Sequence, residues 1–285
     1  MDAAAAARDM WTVGEPLHAV TYFAPDSQAA WAAAGLRGFW RGYFATRLSP
    51  LGEVPAGVAT AVLYNFAPAM VARAVPEVWT MVTPAGAWAA RVAGVDAALR
   101  AGPGDGLAAA GADLAGLARA AVDGCDPAGR LLFAAHTAMP WPDEPQLVLW
   151  QALTLLREFR GDGHNAALLA AGVDGCAAHV LASATGGTAR AGLQPHRGWT
   201  DDEWEAAADG LAARGLVTGG GVATAAGHAL KAAVEDATDR AAARPWQALG
   251  PERTRALHDG LAPIARAVVA AGMMPVPNPM GAPMP

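Results

Sequence analysis

Helical periodicity, with very little strand-like alternation, is the feature of this chain that most restricts its fold. Apolar residues recur at helical spacing in long segments such as PQLVLWQALTLLREF, which is typical of amphipathic helices. Thr83 followed by Pro84 is a helix start, and Thr200 with Glu203 can form a capping box. Period-two alternation is confined to short pieces around the glycines of GLVTGGGVATAAG. We therefore predict a mainly α-helical chain with small β-wings.

The composition supports a packed helical protein and argues against two classes of partner. Of the 285 residues, 53% are hydrophobic and 16% are charged, and alanine, the strongest helix former, supplies much of the apolar fraction. The net charge is −6 and Lys231 is the single lysine, so there is no broad attraction for nucleic acid or for an anionic membrane. Two cysteines without a CxxC motif, no signal pattern and no uncharged apolar run of about 18 residues lead us to expect a cytoplasmic protein without a membrane span.

The sequence also matches itself at an offset of about 120 residues. WAAAGLRGFWRGYF at 31–44 resembles WQALTLLREFRGDG at 150–163, and three further pairs of segments follow in the same order. Alanine-rich segments match by chance, but a shared order at a nearly constant offset favours a tandem duplication. We predict a pseudo-dimer of two winged-helix-like units at 1–140 and 141–272, followed by a disordered Pro-rich tail at 273–285.

The second predicted unit has the element order of a winged helix. A short helix in DGCAAHVLASATG precedes the capped helix of TDDEWEAAADGLAARGLV, and a glycine-rich turn, a short extended piece and a long helix from His228 follow. This order resembles the winged-helix half of MarR-type regulators. With GYFATRLSPLG, YNFAP, LREFRGDGH and RGWTDDEW, residues 22–271 also resemble an actinobacterial helix-turn-helix family without assigned function. The resemblance implies a fold but no reaction.

The charge on the predicted recognition helix argues against DNA binding. A helix that reads DNA needs basic and polar donors where it meets phosphates and base edges. Here the helix has Arg214 as its only basic residue, and the predicted wings AGPGDG and TGGG lack a basic tip. We therefore expect no nucleic-acid partner and keep a winged-helix transcriptional regulator as the alternative. The acidic residues of this helix are Asp201, Asp202, Glu203, Glu205 and Asp209.

The segment LREFRGDGH concentrates charge in a chain that has little of it. On a helix, Glu158 and Asp162 lie on one stripe, and Arg157, Arg160 and His164 lie on the neighbouring stripe. Two carboxylates beside a histidine and two guanidiniums can perform general acid–base chemistry, because repulsion and burial separate their pKa values. We predict that Glu158, Asp162 and His164 are catalytic and that Arg157 and Arg160 bind substrate. An ion-pair network between helices is the structural alternative.

The first predicted unit supplies the other side of the predicted site. In a pseudo-dimer the matching segments face each other, and an interface of this kind is a common place for a ligand cavity. We predict that Tyr43, Arg47, Asn65 and Trp40 bind substrate there. No residues have clear metal-ligand spacing, and nucleotide-binding and hydrolase motifs are absent, so we expect no metal and no cofactor.

These observations favour a small-molecule-binding protein with a polar cavity between its two units. Carboxylates, a histidine and arginines suit cofactor-independent acid–base catalysis, such as hydrolysis, elimination or intramolecular ring formation or opening. The expected partner is a small-molecule ligand or substrate. A non-catalytic interaction scaffold is a further alternative, and the sequence leaves the oligomeric state open.

Overall fold

The structure, a computed structural model, describes residues 2–102, 105–276, 278, 280–282, 284 and 285. Over these residues it contains sixteen α-helices and no β-strand, so the prediction of a mainly α-helical chain is confirmed. A 3₁₀ turn, Ser49–Leu51, follows the third helix. In chain order the helices are α1 Ala3–Phe23, α2 Pro25–Ala33, α3 Phe39–Leu48, α4 Ala56–Val62, α5 Pro68–Ala72, α6 Val78–Met81, α7 Pro84–Ala101, α8 Asp105–Val122, α9 Leu131–Thr137, α10 Pro145–Ala170, α11 Gly175–Ala184, α12 Arg190–Arg197, α13 Asp201–Ala213, α14 Ala225–Ala241, α15 Arg244–Leu249 and α16 Pro251–Ala270.

Helix α10 lies at the centre of the molecule, with α1, α7, α8, α9 and α14 packed against it. It begins at Pro145, whose missing N–H is not needed at the first helical position. Its Trp150 is fully buried in a central core to which α1, α7, α8, α15 and α16 also contribute. No described helix alone is long and apolar enough to cross a membrane; α10 meets that criterion only together with α11, as a pair bent by 91°.

The central core draws side chains from both sides of the predicted boundary at residue 140. Helix α1, near the start of the chain, packs against α16 and α10, and Leu17 of α1 and Leu257 of α16 are both completely buried in this core. The boundary itself stays a prediction. A second, aromatic-rich core lies among α2–α7, and a third lies among α11–α14 and the end of α10.

The two segments that suggested a tandem duplication differ in structure. Segment 31–44 spans the end of α2, a break and the start of α3, whereas its predicted counterpart at 150–163 is one uninterrupted stretch of α10. The break contains Gly35 and Gly38, whose φ angles are 93° and 86°. Glycine enters this region of backbone conformation without the penalty that a Cβ imposes, so the chain turns there. These two segments therefore do not share one topology, and the predicted duplication and pseudo-dimer are not shown.

The predicted β-wings are wrong. In the second predicted wing, Val217 and Ala223 form one isolated antiparallel bridge and no strand. Three consecutive glycines, 219–221, fill the turn between them. Glycine weakens an extended segment because it has no side chain to pack, so the pairing does not extend. The first predicted wing, AGPGDG, includes Pro103 and Gly104, which lie outside the described residues.

Helices α11, α12 and α13 follow one another through short turns and have the order of a helix-turn-helix. Helix α12 ends at Gly198 in the left-handed conformation, with φ of 74°, which favours glycine as a helix terminator. The capping box at the start of α13 is confirmed, because Thr200 and Glu203 exchange hydrogen bonds between side chain and backbone. Trp204 and Leu211 of α13 are buried against α11.

The predicted tail at 273–285 is described in part. Met273 and Met274 are buried, whereas Pro277, Pro279 and Pro283 lie outside the described residues. The predicted disorder of this tail stays a prediction.

Candidate functional site

A cavity of about 630 Å³ lies among α1, α3, α10, α11, α12 and α14. Its wall takes residues from distant parts of the sequence, from Glu15 on α1 to Lys231 on α14. The structure brings nearly all of the predicted site residues to this wall and leaves out Trp40; their chemical roles stay predictions. The predicted residues that line it are Tyr43, Arg47, Asn65, Arg157, Glu158, Arg160, Asp162 and His164.

Trp40 belongs to the aromatic core instead of the cavity wall. Its ring packs against those of Phe39, Phe44 and Phe66, with ring centroids 4.9, 5.9 and 5.8 Å away. It also contacts the ring of Tyr43 at 5.7 Å. Trp40 therefore packs against the cavity residue Tyr43 without lining the cavity itself. The sequence pattern could not distinguish a position in the aromatic core from a position on the cavity wall.

Glu158 is the most heavily bonded carboxylate at the site and is only 1% exposed. Arg47 on α3 donates to it from Nε at 3.3 Å and from Nη2 at 3.1 Å, and Arg157 Nη1 donates at 2.8 Å. Arg47 also donates to the Tyr43 hydroxyl at 2.7 Å. These bonds join α3 to α10 across more than 100 residues of sequence. Such use of both carboxylate oxygens favours a structural role over the predicted catalytic one.

The electrostatics of Glu158 agree with this role. Burial alone raises the pKa of this carboxyl, but the adjacent guanidiniums of Arg157 and Arg47 outweigh burial and hold its pKa well below the usual range. Burial likewise acts to lower the pKa of Arg47, and the charge of Glu158 more than compensates. The three groups are therefore fully ionised at neutral pH. A permanently charged, fully bonded carboxylate is a poor proton donor or acceptor.

Asp162 has a different environment, one turn further along α10. It accepts a hydrogen bond from the backbone N–H of Phe133 at 2.9 Å, so it lies against the first turn of α9. A carboxylate is stabilised there by the free N–H groups of the helix end. Burial nevertheless dominates and raises the pKa of Asp162 to about 6, with the charge of Glu158 adding to the rise. Asp162 can therefore exchange a proton close to neutral pH.

His164 lines the same cavity and is neutral at physiological pH. Burial lowers the pKa of His164 to about 4, and Lys231 and Arg160 lower it further while Glu235 opposes them. Its Nδ1 lies 2.9 Å from the hydroxyl of Thr238, and that hydroxyl donates to the backbone oxygen of Val234. Nδ1 must then carry the proton, which leaves the Nε2 lone pair available as an acceptor.

Arg160 forms its strongest contact away from the other predicted residues. Its Nη1 lies 2.7 Å from Asp239 on α14, and its guanidinium lies 5.1 Å from the ring centre of Trp11. Asp239 also accepts from Arg8 on α1 at 2.7 Å. Arg160 therefore joins α10 to α1 and α14. This agrees with the alternative in which the segment LREFRGDGH forms an ion-pair network between helices.

The backbone and the side chain of Asn65 have different hydrogen-bonding environments. Its backbone oxygen accepts from His179 Nε2 at 3.0 Å and from Trp199 Nε1 at 3.2 Å, which ties the turn after α4 to α11 and to the start of α13. Its side-chain oxygen is buried, and no described residue donates to it. That oxygen is a free acceptor in the wall of the cavity.

A model of a helix-turn-helix family matches residues 7–275, nearly the whole chain. The chain belongs to this helix-turn-helix family. No curated protein and no solved structure matches it. The resemblance to a helix-turn-helix family is thus confirmed, whereas the MarR type and the actinobacterial origin stay predictions.

Helix α13, which the sequence pattern predicts as the recognition helix, has an acidic exposed surface. Asp201, Asp202 and Glu205 on α13 are exposed, and they would be repelled by phosphates. The nearest basic side chains are engaged: Arg190 lies 2.6 Å from Asp201, and Arg214 donates to the backbone oxygen of Gly172 at 2.7 Å. Among the described residues, α11, α12 and α13 thus have the order of a helix-turn-helix, and α13 exposes acidic side chains.

Several groups on the cavity wall of this helix-turn-helix protein were missed by sequence reasoning. Glu15 is buried on α1, accepts from Trp11 Nε1 at 3.0 Å, and has a pKa raised by burial. Arg197 on α12 lies 4.7 Å from the ring centre of Phe66, and burial lowers its pKa to about 10. Neither residue has a local motif, because only the packing of α1 and α12 brings it to the cavity. Over the described residues, no three His, Cys, Asp or Glu side chains are arranged to hold a metal ion.

Proposed function

We propose that this helix-turn-helix family protein binds a small polar molecule in the cavity and that Asp162 and His164 act on it as acid–base groups. One observation carries the proposal: polar side chains from four or more separate helices converge on a cavity of about 630 Å³, a size typical of small-molecule sites. The apolar residues Leu63, Leu168 and Leu181 share the wall with them. Such a mixed lining fits an organic molecule with polar substituents.

The two acid–base groups are complementary. With a pKa near 6, Asp162 is protonated in part of the molecules at neutral pH and can donate a proton. Neutral His164 can accept one at Nε2, although its lowered pKa makes it a weak base. Proton transfer in both directions suits an elimination, a hydrolysis or a ring opening. Glu158 contributes by holding Arg47 and Arg157 in place.

The test is a thermal-shift screen of small polar metabolites against the native protein and the variants Asp162→Asn and His164→Ala. We expect a stabilising ligand for the native protein, and we expect both variants to lose that stabilisation or the turnover of the ligand. Their own unfolding temperatures should stay within a few degrees of the parent, since about 1 kcal/mol corresponds to about 2–4 °C in a chain of this size. Asp259→Asn and His258→Ala on α16 are controls, because both side chains are remote from the cavity wall.

Unchanged ligand binding together with unchanged turnover in both variants would contradict the proposed roles. A loss of several kcal/mol of stability in both would favour the structural alternative for the segment LREFRGDGH.

A transcriptional regulator is the second candidate, and the family match with the helix order α11–α12–α13 favours it. The acidic surface of α13 opposes it. Fluorescence anisotropy with DNA from the protein's own promoter, at physiological salt, separates the two functions. We expect no specific complex; a complex that survives excess competitor DNA would favour the regulator.

A further inference from the structure

The central core contains a completely buried arginine, Arg91, on α7. Its Nη1 donates to the backbone oxygen of Thr46 at 3.2 Å, but no described residue accepts from its Nε or Nη2. No described carboxylate forms an ion pair with it. This is unusual, because removing a charge from water is costly unless an opposite charge or hydrogen bonds compensate for it.

Three aromatic rings enclose this guanidinium, and we call them the aromatic box: Tyr22, Trp88 and Trp150. Their ring centres lie 5.3, 6.0 and 5.4 Å from Cζ of Arg91. Cation–π attraction offsets part of the cost of burying the charge. No atom of these rings accepts a hydrogen bond from Nε or Nη2 of Arg91, so part of its hydrogen-bonding capacity is left unused.

Other buried polar atoms beside Arg91 also lack a partner among the described residues. Two of them belong to the aromatic box, the hydroxyl of Tyr22 and Nε1 of Trp150. Nε2 of His136 and Nε2 of His18 are the others; these rings pack on the box with centroids 5.9 and 5.3 Å from its nearest members. Buried polar atoms are nearly always satisfied in folded proteins, and here unsatisfied ones from three helices, α1, α9 and α10, lie around one charge on α7.

The charged groups around Arg91 and Glu158 do not balance. Arg47 and Arg91 are buried cations, and Arg157 beside them is a third cation whose side chain is 21% exposed. Glu158 is one buried anion, and Glu15 is a second carboxyl whose pKa is raised by burial. At least one positive charge is left over, and Arg91 is the cation that no carboxylate contacts. An anion beside Arg91 would bring the buried charges to balance.

We propose that Arg91 and the aromatic box form a binding site for a small monovalent anion of halide size. The guanidinium of Arg91, the indole N–H of Trp150 and the hydroxyl of Tyr22 are its donors. The residues of the site are almost completely buried, so the anion must shed its water, and this favours weakly hydrated ions such as bromide over chloride. Neither Arg91 nor any member of the aromatic box lines the cavity, so the site does not depend on the function proposed above.

The test compares unfolding temperatures in chloride, bromide and formate with those in gluconate, at constant ionic strength. We expect the unfolding temperature to rise with the concentration of bromide and of chloride, and not with that of gluconate, which is too large to enter. An ion that binds only the folded state stabilises it by an amount that grows with the logarithm of its concentration above the dissociation constant. Formate tests whether a small carboxylate binds to the same donors as a halide ion. Stabilisation by formate as well would support the site and extend it to carboxylates.

Two variants and one control locate the effect. Arg91→Met should abolish the dependence on halide, and Tyr22→Phe should weaken halide binding about tenfold, because it removes one donor and keeps the ring. Arg100→Met is the control, since Arg100 is an exposed arginine of the same helix that pairs with Asp96; it should keep the native halide response.

If Arg91→Met does not fold, Tyr22→Phe and a bromide derivative decide the question. Crystals grown in bromide should show an anomalous peak within about 3.5 Å of the Arg91 guanidinium. Equal unfolding temperatures in bromide and gluconate, with no such peak, would overturn the proposal and leave the aromatic rings and internal water to satisfy Arg91.

Discussion

At Glu158, two guanidiniums from different helices share one carboxylate oxygen. Arg47 Nη2 and Arg157 Nη1 lie 3.1 and 2.8 Å from Oε2, and the side chain is buried on α10. A buried ion pair adds little when it replaces good apolar packing, but breaking one is strongly destabilising, because it leaves an uncompensated charge inside the protein. The importance of Glu158 is therefore expected to appear in stability.

We expect Glu158→Gln to lower the free energy of unfolding by about 3–5 kcal/mol at pH 7, measured by urea denaturation. The cause is the loss of the charge that compensates Arg47 and Arg157. Because the pKa of Glu158 is lowered in the folded state, its contribution is complete above about pH 4.3, the usual glutamate value, and is lost as the pH falls further. Glu205→Gln, at an exposed position of α13, is the control; equal stability of the two variants would exclude this role.

At the scale of elements, the beginning of α11 docks closely on the turn after α4. A Cβ added to Gly175 would lie 2.1 Å from the backbone oxygen of Tyr64. The hydroxyl of Tyr64 in turn donates to the backbone oxygen of Val173 at 2.6 Å. This contact sets the position of α11, and with it one wall of the cavity, so glycine is required here for close approach and not for a turn.

We expect Gly175→Ala to lower the free energy of unfolding by about 1–3 kcal/mol, because the methyl group would force two backbone segments apart. Gly210→Ala on α13 is the matched substitution, since a Cβ there meets nothing within 4 Å. It should stabilise the protein by about 0.5–1 kcal/mol, as alanine is the better helix former. Urea denaturation of both variants measures the difference, and equal effects would mean that the α11 contact is not tight.

Across the whole molecule, the sequence predicted what depends on nearby residues. The capping box at Thr200 and the cap at Thr83 are present, because each is decided within four residues. The stripes on LREFRGDGH also place Glu158, Asp162 and His164 on one cavity wall. Helical spacing fixes which side chains of one helix lie together, so such groupings can be read directly from the sequence.

What the sequence did not predict depends on the path of the chain between helices. Similar sequences at 31–44 and 150–163 suggested two equal units. The chain changes direction at Gly35 and Gly38 in the first segment, whereas the second segment is one continuous helix. Glu15 reaches the cavity only because α1 packs against α10. Contacts of this range leave no local pattern in a single sequence.

Acid should unfold this protein mainly through its buried histidines. Burial lowers the pKa of His136 and of His179 to about 3, that of His164 to about 4, and that of His18 well below its usual value. In the unfolded chain these groups titrate near 6.5, so the unfolded state binds more protons between about pH 4 and 6.5, and stability falls as the pH falls through that window. Asp162 acts in the opposite direction, because its pKa is raised to about 6.

We expect a net uptake of protons on unfolding in this window, because four histidines gain a proton while only Asp162 and Glu15, whose pKa values are raised in the folded state, release one. The urea midpoint, measured from pH 7 to pH 4.5, gives the slope. A midpoint that does not change over this range would show that the histidines are protonated in the folded protein.

The tryptophan pair beside Arg91 gives the central core an optical signature. The rings of Trp88 and Trp150 are 6.0 Å apart and inclined by 37°, close enough for their excited states to couple. Coupled indoles at a fixed angle produce a paired band of opposite signs in circular dichroism, and a nearby cation shifts indole emission. Occupation of the Arg91 site can therefore be followed in the unlabelled protein from its own absorption and fluorescence.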